Sequence, residues 1–144
     1  SFWILRLAPV YSDNFILNIN RRTKILNMFY RVGSGGYKLS LCNIKNISSC
    51  VEGIVQGTVK NGTYNVSDNI NYNYKDLLKW QNAFFILPVP TFAVRVIYLF
   101  GKLFENNFLV ENSIKLTSTN LYPSSKIGIF SVIKYDLNDL SDVV

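Results

Sequence analysis

The side chains able to do chemistry are few. There is no histidine, which removes the imidazole base, the Ser-His and Cys-His nucleophiles and the His-ligated zinc site together. Two cysteines, Cys42 and Cys50, stand close in sequence. Two thiols do not close a tetrahedral zinc site. They suit one disulfide or two half-buried free thiols, and the free pair of a reduced compartment is the expectation. The spacing of Glu105 and Glu111 invites an acid/base reading. They fall at a helix end and a strand start with nothing to tune them, so a solvent or salt-bridge role is expected. With no Gly-rich phosphate loop and no metal-ligand spacing, neither a catalytic centre nor a cofactor is expected, and the chain is read as not an enzyme.

What remains is positive charge. The net charge is +6, and residues 1–51 carry all of it: Arg6, Arg21, Arg22, Lys24, Arg31, Lys38 and Lys45 against the single acid Asp13. From residue 52 onward eight cations balance eight acids. A one-sided field favours a polyanion, either RNA or an anionic membrane. Tyr72 and Tyr74 have the chemistry to stack on bases, but loop tyrosines more often cover a core edge. Three sequons, at Asn46, Asn61 and Asn65, match the glycosylation pattern. With 17 Asn in the chain they are chance-level matches.

The elements that must carry these residues follow from periodicity. Hydrophobic residues make up 49% of the chain, enough for a packed core, and 144 residues suit one domain. Ile19, Ile25, Leu26, Phe29 and Tyr30 share a helical face with Arg21, Arg22, Lys24 and Arg31 off it, and Gly33-Ser34-Gly35-Gly36 stops the helix. Residues 37–42 and 51–59 read as strands, with a turn near 45–49 between them. Asn61-Gly62 signals a turn, and 63–74 reads as a loop or edge hairpin. Residues 75–85 suit a short helix and 91–104 a longer one. Residues 109–117 and 127–135 read as strands. The apolar run 83–100 is broken by Pro88, Pro90 and Arg95, so no transmembrane segment is expected. The fold class expected is α+β: two layers, with helices packed on one face of a mostly antiparallel sheet. Residues 1–144 form a single domain, with an insertion around 60–90 and a frayed acidic tail at 136–144.

Three stretches in this order resemble the C-terminal domain of small-subunit ribosomal protein S-three, in a divergent mitochondrial form. Ile19-Asn20-Arg21-Arg22-Thr23-Lys24 is similar to that family's basic helix. Its Gly-rich end and next strand match either 36–41 or 51–57. Residues 93–107, followed by 108–116, resemble the second helix and its strand. Ile127-Gly128-Ile129-Phe130-Ser131-Val132-Ile133-Lys134 resembles the closing strand. The family's Ser-Gly-Arg is not intact, since Gln56-Gly57-Thr58 lacks the Arg, and its KH half has no counterpart here.

The resemblance implies a structural constituent of the mitochondrial small ribosomal subunit. Such a chain binds rRNA in the head near the mRNA entry path, among neighbouring ribosomal proteins in the matrix, with no small-molecule substrate. Arg21, Arg22, Lys24, Arg31, Lys38 and Lys60 are the implied RNA-binding residues. Guanidinium forks bind phosphate without reading sequence. The alternative is a viral coat or other β-rich self-assembling protein, and a secreted glycoprotein with one disulfide is a third reading.

Overall fold

The computed structural model describes residues 2–140. In chain order the elements are β1 (Trp3–Leu7), β2 (Val10–Tyr11), α1 (Leu17–Thr23), β3 (Lys24–Ile25), β4 (Met28–Val32), β5 (Lys38–Leu39), β6 (Cys42–Asn43), α2 (Ile44–Val55), β7 (Gly62–Val66), β8 (Tyr72–Asn73), α3 (Tyr74–Trp80), β9 (Ile86–Val89), α4 (Thr91–Leu103), α5 (Asn107–Thr117) and α6 (Ser125–Gly128), with a 3-10 turn at Leu137–Asp139. They divide into two compact units. The first is Ser1–Asn18, Ser40–Asn71 and Leu121–Val144, and the second is Ile19–Leu39 and Tyr72–Asn120.

In the first unit β1 pairs in parallel with β7, Trp3 facing Gly62 and Leu7 facing Val66, and β2 pairs in parallel with β6. Parallel strands need a crossover connection, and α2 supplies part of one. Asn43 caps α2 by accepting from the Lys45 N–H, meeting one of the orphan donors of a helix start. Ile47, Cys50 and Ile54 then lie on one face and meet Val59, Val66 and Ile133 in the core. Gly53 is the close point, because a Cβ there would lie 3.0 Å from both Val59 and Val132 side-chain atoms. Gly57, with φ +73°, turns the chain out of the helix.

In the second unit β3 and β4 form an antiparallel hairpin, and β4 pairs in parallel with β9, Phe29 facing Ile86 and Val32 facing Val89. Leu26 and Asn27 both have positive φ, 48° and 65°, the requirement of a two-residue turn matched to strand twist. β5 pairs antiparallel with β8. Asn73 and Asp76 close a reciprocal capping box on α3. Tyr30, Val32 and Val94 form one core cluster of this unit, with Val89 and Leu116 against it, and Ile19, Leu39, Tyr72, Tyr74, Leu77 and Leu78 are buried as well.

The expected two-layer α+β arrangement on a mostly antiparallel sheet is not what forms. Among the described residues, three of the five strand pairings are parallel, and the sheets are short and separate. The reason is local. Asn43 and Asn106 cap helices where 51–59 and 109–117 read as strands, so α2 and α5 take their place. The basic helix expected near 19–31 stops at Thr23, because Leu26-Asn27 turns the chain into the hairpin. Residues 127–135 form no strand: α6 ends at Gly128 and irregular chain follows. Residues 136–140 hold a 3-10 turn capped by Asp136, while 141–144 of the expected frayed tail lie outside the described residues.

Candidate functional site

Two polar assemblies are built into the chain, and they differ in whether their hydrogen bonds are met. In the first unit Asp68, 3% exposed, is a saturated hub. Its Oδ1 accepts from the Asn43 backbone N–H at 2.7 Å and the Asn46 amide at 2.9 Å, and its Oδ2 accepts from the Tyr11 hydroxyl at 2.7 Å. Asn46 is fully spent as well. Its Oδ1 accepts from the backbone N–H groups of Lys134 and Tyr135, and its amide also donates to the Tyr135 carbonyl. A buried carboxylate with these partners is a tie between β2, the start of α2 and the last residues of β7's loop. Both of its oxygens are engaged within the fold.

The second unit holds an unsaturated assembly. Arg22, near the end of α1, lies against two buried phenols, Tyr30 on β4 and Tyr74 at the start of α3. Burial pushes the Tyr30 hydroxyl up to about 12, and the nearby Tyr74 adds to this, while the Arg22 charge acts in the opposite direction. Burial also raises Tyr74, opposed by the charge of Arg22 and a hydrogen bond from it. The two hydroxyls are anchored to backbone: Tyr30 donates to the Arg21 carbonyl at 3.4 Å and Tyr74 to the Lys115 carbonyl at 3.0 Å. The end of α1 is held in place by Thr23, which donates to the Gln81 side chain, and by Gln81, which donates to Asn20.

Arg31, on β4, folds its stem over Gly35, and the stem of Lys75 meets the same glycine. Tyr74 and Lys75 are consecutive, so both arginines reach the first turn of α3. Neither guanidinium is fully met. Arg22 Nη1 and Arg31 Nε are sealed from solvent and have no hydrogen-bond partner. A sealed donor without a partner costs about 1–3 kcal/mol, more when charged, and a group of this kind is explained by local strain, an ordered water or a bound ion. Planar guanidinium groups are matched by phosphate or carboxylate.

Of the residues expected to bind a polyanion, the structure places Arg22 beside Tyr30 and Tyr74 and the Arg31 stem over Gly35 beside Lys75. Arg21 is exposed on α1, Lys24 lies 4.7 Å over the Phe29 ring, Lys38 is exposed on β5, and Lys60 belongs to the first unit. Lys75 was not singled out, and a lone lysine after a tyrosine carries no signal that would have found it. The two thiols are free and buried. Among the described residues no group of His, Cys, Asp and Glu could hold a metal ion, and no helix is long and apolar enough to cross a membrane.

No family model and no curated protein matches the chain. Solved structures do. A human epimerase family protein, SDR39U1 isoform 2 solved with NADPH, superposes with a TM-score of 0.60 at 12% identity, over 95% of this chain and 44% of that one. A functionally unknown conserved protein from Silicibacter pomeroyi superposes at 0.57 and 15% identity, over 92% of this chain and 43% of that one. This chain therefore spans less than half the length of either structure. The likeness is one of fold.

It is the fold of an epimerase family protein that this chain resembles. That finding overturns the resemblance to ribosomal protein S-three, and with it the ribosomal role, the rRNA, mRNA and ribosomal-protein partners, and the viral-coat alternative. It also overturns the reading of the chain as having no part in an enzyme and no small-molecule substrate. Of the strands on which the ribosomal resemblance rests, 108–116 and 127–134 are helix or irregular chain here, as is 51–57, while the other candidate for the first strand, 36–41, holds only the two-residue β5.

Proposed function

We propose that this chain is a segment of an epimerase-type enzyme and that its second unit holds the phosphate of a phosphorylated sugar ligand. The observation that carries the reading is the pair of sealed, unpartnered guanidinium nitrogens on Arg22 and Arg31. Lys75 supplies a third cation beside Arg31. The likeness of fold to an epimerase family protein supports the enzyme class.

The glycines at 33–36 do not form a dinucleotide cradle. That fingerprint lies between a strand and the helix it opens, so that the pyrophosphate meets the helix N-terminus. Here Gly33-Ser34-Gly35-Gly36 joins β4 to β5. The cations therefore serve a ligand phosphate more naturally than a nicotinamide cofactor. Tyr30 and Tyr74 stay neutral at physiological pH because burial raises both, so they add no negative charge beside the anion.

Calorimetric titration of the chain with UDP-glucose and with inorganic pyrophosphate tests this. Binding that weakens with added salt is expected. Arg22→Gln and Arg31→Gln should each weaken it by about tenfold or more, the scale of one charge-assisted hydrogen bond. No binding of either ligand, or unchanged affinity in both variants, overturns the reading.

A further inference from the structure

Helix α4 presents a second surface in the same unit, unrelated to the cationic site. Phe92, Val96, Ile97, Leu99, Phe100 and Leu103 are all exposed, from 43% to 73%. At about 100° per residue they form one continuous arc of roughly 160°. Only a narrow strip is packed, on Val94 and Gly101, with Tyr98 half-buried beside it. A helix apolar over most of its circumference is ordinarily buried, and an exposed patch of this kind marks an interaction surface.

The charges beside the arc say what it meets. Arg95 and Lys102, seven residues apart, fall together on one border of the arc next to Leu99, and both are exposed. Lys102 Nζ stands 5.5 Å over the Tyr98 ring. No acid occurs within α4. At its end the Phe100 and Phe104 rings stack, 6.2 Å apart at 6°, and extend the apolar surface. An apolar face bordered by cations is the pattern of a helix lying in the plane of an anionic bilayer, with its aromatic and aliphatic side chains at the acyl boundary and its cations at the phosphates. Thirteen residues reach about 20 Å, short of the roughly 30 Å of a hydrocarbon core, so the helix lies on the membrane and does not span it. A second copy offering the same face would bring no acid on α4 to Arg95 and Lys102.

We propose that α4 docks the second unit onto an anionic lipid surface. The test is flotation of the 144-residue chain with vesicles of phosphatidylcholine containing about one-third phosphatidylserine, and with phosphatidylcholine alone. Circular dichroism and the melting midpoint confirm that each variant is folded, and light scattering reports its oligomeric state. The chain should float with the anionic vesicles and much less with the neutral ones. The double variant L99D/F100D should lower partitioning by about tenfold or more. The double variant R95E/K102E should remove the preference for anionic lipid, at about fivefold per cation. Failure to float with either vesicle overturns the proposal. So does undiminished flotation of a folded L99D/F100D, and so does a dimer that this variant dissociates without any vesicle binding, which would assign the face to a second copy.

Discussion

Arg31 is shaped by Gly35. A Cβ on Gly35 would lie 2.7 Å from Arg31 Cδ and 2.9 Å from Cγ, and 3.3 Å from Lys75 Cγ. The glycine also sits at φ +71°, where a side chain is strained by about 1 kcal/mol. Its absent side chain is the floor on which the arginine stem rests and next to which the lysine comes.

Gly35→Ala is therefore expected to do two separable things. It should lower stability by about 1–3 kcal/mol through left-handed strain and a displaced stem. It should also weaken pyrophosphate binding, because the Arg31 guanidinium leaves its seat. Gly57→Ala is the control. Gly57 has a similar φ of +73° and nothing within 4 Å of the added Cβ, so it should lose stability and keep affinity. Melting curves and titrations on the two variants distinguish them. Equal affinities would mean that the seat of Arg31 is irrelevant to binding.

Tyr11 and Asp68 make the second prediction. The hydroxyl donates to the carboxylate at 2.7 Å, and both residues are buried. Tyr11→Phe removes one donor and keeps the ring, so a loss of about 1.5–3 kcal/mol is expected. Asp68→Ala strands the Asn43 N–H and one Asn46 amide donor together and should cost about 3–5 kcal/mol. Urea unfolding measures both. If Asp68→Ala proved no worse than Tyr11→Phe, the hub would not be the tie between β2 and α2 that its geometry describes.

Parts of this architecture were readable in the residues. The apolar spacing of 91–104 and the Pro88-Val89-Pro90 breaker gave α4 nearly to the residue. Lys75 to Phe85 points to α3, whereas the turn signal at Asn61-Gly62 stands at the start of β7 in a stretch that reads as a loop or edge hairpin. The rest was hidden for physical reasons. The 51–55 end of α2 and residues 109–117 of α5 have strand-like apolar patterns, and a single Asn at each helix start, accepting a backbone N–H, sets the helix instead. The Leu26-Asn27 turn has Leu where Asn or Gly is usual, so the basic stretch looked like one helix. The parallel pairings join segments up to about sixty residues apart, and no local pattern reports them. For the candidate site, Arg22 and Arg31 were picked out by the lack of acids around them. Lys75 was not, because its place depends on how α3 approaches Gly35.

The third prediction concerns alkaline pH. Burial, with the charge of Asp68 and the neighbouring Cys50, pushes the Cys42 thiol up from 9.0 to about 12, and burial pushes Cys50 up to about 11. Burial and Tyr74 push Tyr30 from 10.0 to about 12. All three are acids held neutral in the folded chain. Below about pH 8 they are protonated in both states and contribute no pH dependence. As pH rises from about 8 to 11, the unfolded chain releases these protons before the folded chain does, so the unfolded state is favoured and stability falls. The midpoint of urea unfolding should be flat from pH 7 to 8 and decline above pH 9. At pH 8 a thiol reagent should modify Cys42 and Cys50 far more slowly in the folded chain than in urea, since the thiolate is the nucleophile. Rapid modification of the folded chain at pH 8 would show that the thiols are not sealed in the core of the first unit.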